Sequence, residues 1–340
     1  SHLGVIDLRL RRDGAGGWQV AAFDCRAETV PADLPAAPEI ARPVMADHRD
    51  TLRQLRRRVG RSDAALTSYF ALIGVDPGLR LVNMAQRWHV RAGLRGTCWQ
   101  DLPVLSASAP FRAGGRGGPG HYTDVPGGRL SLRSLSDLYS FPNRICAIRL
   151  DGAQLRDWLE RAAGMFRRIT PGGHDQPLLA EDFPCYNFDV VDGVTWQVDL
   201  SQPARFGPDG RLADAAACRI RDLCWQGRPL QDRDVFVLAT NSYRLASCGL
   251  FSPLVAGNEV ALKDGALTRD VLRHYIRRRR RIRVRHRAHW RFAPMPGTSV
   301  LFETGPGSLD HLAELERHLP GRLDHTGASG DGFVRFRLFL

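Results

Sequence analysis

Lysine is all but absent from this 340-residue chain: Lys263 is the only one, so nearly all of its 48 cationic side chains are arginine. That bias tempers the formal charge of +12. An arginine-rich background spreads guanidinium groups over a surface without building a nucleic-acid site, and nucleic acid is not the expected partner. Long apolar runs are missing too. No stretch approaches the roughly 20 residues a membrane-spanning helix needs, so no membrane partner is expected. A leader of the signal-peptide type is also lacking, as expected if the natural N-terminus lies upstream of Ser1. The seven cysteines, at 25, 98, 146, 185, 218, 224 and 248, form no CxxC pair. Zinc ribbons and thioredoxin-like redox sites are thereby disfavoured, and the odd number leaves one or more thiols without an intramolecular partner.

What is present is apolar residue in quantity: 43% of the chain is hydrophobic, enough for a substantial core in one large or two ordinary domains. Leu3 to Leu10 and Trp18 to Phe23 alternate apolar and polar residues across a Gly-rich break, predicting two strands that need a sheet to join. Pro31 to Pro43 reads as an extended linker. The helical spacing of Met45, Leu52, Leu55 and Val59 then predicts an interdomain helix over Val44 to Val59. From Ser62 onward, helices such as Arg80 to Val90 and Ala153 to Phe166 mix irregularly with strands such as Arg144 to Leu150, Thr195 to Leu200 and Val235 to Ala239. This order favours an α+β domain with mixed β-sheets and flanking helices over a doubly wound fold. Leu309 to His318 reads as a short helix, and Val334 to Leu338 as an edge strand. The expected boundaries are 1–30, 31–61, 62–310 and 311–340.

Three segments concentrate aromatic rings with carboxamide and carboxylate groups: YSFPN at Tyr139 to Asn143, YNFDVVD at Tyr186 to Asp192, and ATNSY at Ala239 to Tyr243. These are the ingredients of a pocket for a flat polar ring. Asn187, Asp189 and Asp192 either hydrogen-bond a ribose or base edge or serve local turns, as Asp192-Gly193 suggests. Arg112 can grip a phosphate bidentately or stand as a solvated loop arginine; Arg80 is a weaker case of the same kind. Gly115, Gly117 and Gly120 satisfy the dinucleotide fingerprint by spacing, but Pro119 and the turn residues that follow contradict the strand-to-helix context it requires. His286 and His289 form an HxxH whose arginine neighbours would repel a cation. The Arg277 to Arg281 run reads as a solvated face.

Together with SHLGVIDL at the start, VNMAQ at Val82 to Gln86, SAPFRAGGRGGPGHYTDVP at Ser108 to Pro126 and WRFAP at Trp290 to Pro294, these segments occur in the order of one family. The chain resembles the C-terminal substrate-binding domain of the periplasmic 2',3'-cyclic-nucleotide 2'-phosphodiesterase/3'-nucleotidases, a branch of the 5'-nucleotidase superfamily. The resemblance implies that Phe141 and Tyr243 sandwich the base of a nucleotide substrate, with Arg112 near its phosphate. Without it, Phe141 reads as core and Tyr243 as a strand-end ring. Two departures stand out: Phe141 replaces the usual Tyr, and LASCGL at Leu245 to Leu250 replaces a Gly-rich turn. The resemblance also implies a periplasmic, metal-dependent phosphoester hydrolase as the full-length protein, with two divalent metals in an N-terminal domain of which residues 1–30 would be the tail. The D-x-H, N-x-N-H and G-H-x-H ligand strings of that domain do not occur here. The chain alone is therefore expected to hold no cofactor, carry no catalytic residue and be inactive. A stand-alone nucleotide binder and a basic RNA-binding protein are the alternatives.

Overall fold

Alternation across the Gly-rich break produces an antiparallel hairpin, His2–Arg12 with Trp18–Thr29, bulged between Arg9 and Leu10. In this computed structural model, which describes residues 2–14, 16–31, 33–247, 249–263, 265–284, 288–318 and 321–340, the chain divides into two units, Ser1–Gln54 and Leu55–Leu340. In the first, Leu3, Ile6, Leu8, Leu10, Trp18, Val20 and Phe23 stand exposed on the hairpin. The helix that follows spans Pro38–Leu55, beginning and ending earlier than its apolar spacing predicts. Pro38 suits the first turn because no helical bond needs its missing N–H. Pro43, which the sequence assigns to the linker, lies inside the helix.

The larger unit is built on a five-stranded sheet in the order Val190–Asp192, Val104–Ser108, Val235–Asn241, Ile145–Asp151, Val260–Leu262. Val235–Asn241 runs parallel to Val104–Ser108 and antiparallel to Ile145–Asp151, so the sheet is mixed. Period-two alternation sends its side chains into two separate cores. Leu105, Ala107, Ile148, Leu150, Phe236 and Leu238 enter one; Val104, Ile145, Ala147, Val237 and Ala239 enter the other. The helix Gly152–Ala162 brings Leu155, Trp158 and Leu159 to the first core. The helices Pro77–Gly93 and Thr268–Arg279 cover the second with Leu81, Val82 and Ala85 and with Val271, Leu272 and Ile276. Capping fixes where two of these helices start: Asp76 accepts from the Leu79 N–H at 2.7 Å, and Asp151 with Gln154 forms a reciprocal capping box.

Four smaller sheets complete the α+β architecture among the described residues, the smallest pairing only Leu66–Thr67 with Asp124–Val125. One contains Val194–Val198 between Ile220–Trp225 and Trp290–Phe292. A second joins Arg281–Ile282, Arg58–Ser62 and Gly128–Ser131. In the third, Val334–Phe339 lies between Leu323–Ala328 and Ser299–Thr304. It is therefore an interior strand rather than the edge its sequence suggested, and Phe336 and Leu338 are fully buried. Segment 309–318 forms a single helical turn, Leu312–Leu315, flanked by 3₁₀ turns. The glycine decoy contains only the 3₁₀ turn Gly115–Gly117 and opens no α-helix.

Candidate functional site

The antiparallel pairing of Ile145–Asp151 with Val235–Asn241 matches Asn241 with Ile145. It places the entry to one strand beside the exit of the other. Two hydrogen bonds lock this end: Ser242 N–H donates to the Arg144 carbonyl at 2.8 Å, and Arg144 N–H donates to Ser242 Oγ at 3.0 Å. Phe141, in the loop entering the first strand, and Tyr243, in the helix Ser242–Ser247 leaving the second, thus emerge at one end of the sheet. Both rings are unusually open for aromatics of a folded domain, at 47% and 42% exposure. Phe141 is not loose: Phe111 meets it edge-on with centroids 5.2 Å apart and is itself braced edge-on by Tyr139 at 5.0 Å. Tyr139 is buried and accepts from Asn143 Nδ2 at 3.1 Å.

Beside Tyr243 the chain carries Arg244, a residue the sequence patterns do not single out. Its guanidinium is buried against Asp189, with Nη2 to Oδ1 at 2.8 Å and Nε to Oδ2 at 3.1 Å. Nη1 donates to Asn187 Oδ1 at 3.2 Å and Nη2 to the Tyr186 carbonyl at 2.5 Å. Trp158 Nε1 donates to the same Asp189 carboxylate at 3.0 Å. The guanidinium carbon also lies 4.7 Å from the Phe251 ring centroid, a cation–π contact. YNFDVVD and ATNSY, two of the three segments the sequence presents as ingredients of a pocket, are therefore held together through Arg244.

This arrangement redistributes the residues expected to reach a ribose. Asp189, only 2% exposed, has both oxygens committed to Arg244 and Trp158 and acts as the anchor of that clamp. Asp192 ends the strand Val190–Asp192, is buried, and pairs with Arg87 Nη1 at 3.0 Å. Asn187 sits half-buried in the 3₁₀ turn Cys185–Asn187, with its carbonyl oxygen toward Arg244. The structure thus groups Asn187 and Asp189 with Tyr243, and sets Asp192 against the helix Pro77–Gly93. Arg112 follows Phe111 in the chain and lines a cleft with Phe111, Ser140 and Asp137. Its partner there is distant: Arg112 Nη1 lies 3.6 Å from Asp137 Oδ1. A guanidinium held this lightly and part-exposed can exchange its carboxylate for a ligand phosphate. Arg80 lies elsewhere, in a small cleft with Asn83 and His289.

Among the described residues no group of three His, Cys, Asp or Glu side chains is placed to hold a metal ion. His286 falls outside the described residues. His289 is half-buried beside Trp196, whose ring meets it edge-on at 5.7 Å. The six described cysteines are free thiols. No described helix is long and apolar enough to cross a membrane.

A sequence profile of the 5'-nucleotidase C-terminal domain matches residues 80–256. A trifunctional nucleotide phosphoesterase protein of Bacillus subtilis is 36% identical over 305 residues, covering 89% of this chain and 21% of that protein. A 2',3'-cyclic-nucleotide 2'-phosphodiesterase/3'-nucleotidase of Salmonella typhimurium is 36% identical over 324 residues, covering 90% of this chain and 50% of its own length. Among solved structures, the 5'-nucleotidase precursor from Thermus thermophilus shares the fold, with a TM-score of 0.56 at 13% identity over 87% of this chain and 50% of that one. The chain spans half or less of the length of these curated relatives. By the profile match and by relatives that align along most of its length, the chain belongs to the 5'-nucleotidase family and carries that family's C-terminal domain.

Proposed function

We propose that this chain is the nucleotide-binding part of a periplasmic enzyme that hydrolyses 2',3'-cyclic nucleotides and 3'-nucleotides. The observation that carries the reading is the pair of open aromatic rings, Phe141 and Tyr243, at one end of adjacent strands, the first packed edge-on by Phe111 and the second beside the anchored Arg244. An exposed ring costs hydrophobic stabilisation unless something covers it, and a nucleobase offers a flat face to stack on. Every base has such a face, so the site tolerates several nucleosides. Arg112, next in the chain to the ring that braces Phe141, takes the phosphate. Asn187 offers the ribose a carboxamide whose orientation Arg244 fixes. Asp189 and Asp192 act one step removed, through Arg244 and Arg87.

Bond cleavage, in this reading, draws on two divalent metals that would supply a hydroxide nucleophile and stabilise the charged transition state. They belong, in this reading, to a metallophosphoesterase domain outside the chain, and the isolated chain binds without hydrolysing. Calorimetry with adenosine and 3'-AMP tests the proposal. Tyr243→Ala is expected to weaken both ligands by about 1–3 kcal/mol, a stacking-sized loss, and Tyr243→Phe far less. Equal binding by parent and Tyr243→Ala rejects the clamp. Turnover of 3'-AMP by the pure chain with Mn²⁺, above a metal-free control, rejects the division of labour.

A further inference from the structure

Away from the aromatic pair, the three-stranded sheet carries an arrangement that folding alone disfavours. Arg281 is the Cα partner of Arg61, and Arg61 is the Cα partner of Arg129. Residues matched across strands project from the same face, their Cβ atoms about 4.5–5.5 Å apart in an antiparallel pair, and like charges so placed destabilise the sheet. The opposite face shows that the register is firmly set. Ser62, Leu130 and Ile282, each next in the chain to one of the three arginines, are buried. Arg61, Arg129 and Arg281 are all exposed. Among the described residues the carboxylate that pairs with this row is Asp63, which is taken by Arg281 and Arg283. Among the described residues Arg129 reaches only a carbonyl, that of Arg56, at 3.1 Å. The guanidinium of Arg61 has no hydrogen bond or ion pair among the described residues.

An arginine-rich composition explains many scattered arginines but not three in register across three strands with one carboxylate between them. We propose that this sheet face is a docking surface for the phosphodiester backbone of single-stranded RNA. A row of guanidinium groups stepping across strands about 4.8 Å apart presents repeated phosphate-binding forks, and an anionic chain lying along it would cancel the repulsion. The outward positions of the row carry no apolar side chain, which an amphipathic membrane-binding face would need. The choice of RNA rests on the functional reading above. A 2',3'-cyclic phosphate forms when a ribose 2'-hydroxyl attacks the adjacent phosphodiester, expelling the 5'-oxygen of the next nucleotide. RNA cleavage is thus the class of reaction that supplies such a substrate, and the docking face would hold the enzyme where its substrate is released.

The test is fluorescence anisotropy of a labelled oligouridylate with the whole chain, titrated with salt from about 50 to 200 mM. Three phosphate contacts on a single strand predict a slope of about −2 in log K against log salt. Arg61→Gln with Arg129→Gln should weaken binding at least about tenfold at low salt and bring the slope to about −0.7, the single contact left. The same double variant should melt at a higher temperature than the parent, because the repulsion is relieved. Arg277→Gln with Arg278→Gln on the neighbouring helix should change neither readout. RNA binding that survives the ladder variant, or that is lost in Tyr243→Ala instead, overturns the proposal. So does loss of binding to phosphatidylglycerol vesicles, but not to RNA, in the ladder variant. Failure of adenosine to bind, with ladder-dependent RNA binding intact, removes the nucleotidase reading and leaves the docking face standing.

Discussion

Arg244 and Asp189 show how much a single pair of side chains decides here. A guanidinium and a carboxylate, each only 2% exposed, persist in the interior because Trp158, Asn187 and a backbone carbonyl satisfy what the pair leaves over. Deleting one partner strands the other. Asp189→Ala is therefore expected to destabilise the chain by about 3–5 kcal/mol in urea unfolding, and to weaken adenosine binding as well, since Arg244 sits next to Tyr243. Arg112→Ala should behave in the opposite way, leaving the unfolding midpoint in place because its partner lies at 3.6 Å. It should weaken 3'-AMP more than adenosine, as only the nucleotide loses a charge-assisted hydrogen bond; an equal loss for both in calorimetry removes Arg112 from the phosphate. The sequence pointed to Asp189 as polar chemistry near a pocket. Its engagement was not legible, because its partner stands 55 residues away and nothing in local spacing reports a tertiary ion pair.

At the scale of elements, periodicity was readable where the signal is local. The run 153–166 marks a helix, which the structure begins at Gly152, and the alternating run at 334–338 marks a strand. Whether that strand is an edge depends on a partner, Leu323–Ala328, whose mixture of Leu, Asp, His, Thr, Gly and Ala carries little strand signal of its own. Pro43 misled because proline argues against a helix interior, yet it stands in the second turn of Pro38–Leu55. Gly152 shows a constraint invisible in sequence. A Cβ there would stand 2.1 Å from the Gln231 carbonyl oxygen, and its N–H donates to the Asp232 carbonyl at 3.0 Å. Gly152→Ala must push this loop away from the start of the helix that carries Trp158 to Asp189. We expect a loss of about 1–3 kcal/mol, measured by thermal or urea unfolding, with an unshifted midpoint as the contrary result.

Over the whole molecule, pH and domain organisation offer the broadest checks. Burial holds the His289 imidazole down to a pKa of about 4, against the pull of Asp192 in the other direction. A histidine neutral in the fold but free to protonate when unfolded contributes stability that is complete above its unfolded pKa, near 6.5. That contribution is lost as pH falls toward 4. Chemical denaturation at pH 7.5 and 5 should show this acid loss, and His289→Gln should flatten part of it; an identical pH profile excludes His289 as a source. The division into two units leads to the last expectation. Both core clusters of the larger unit are built from that unit's own residues. The aromatic pair, its Arg244 support and the arginine ladder all lie beyond Leu55. A chain beginning at Leu55 should therefore unfold within a few degrees of the parent and bind adenosine equally. It should also be the more soluble of the two, because the exposed apolar hairpin, with its unpaired strand edges, is a template for association. A large drop in melting temperature, or loss of adenosine binding, would instead make residues 1–54 an integral part of the nucleotide-binding body.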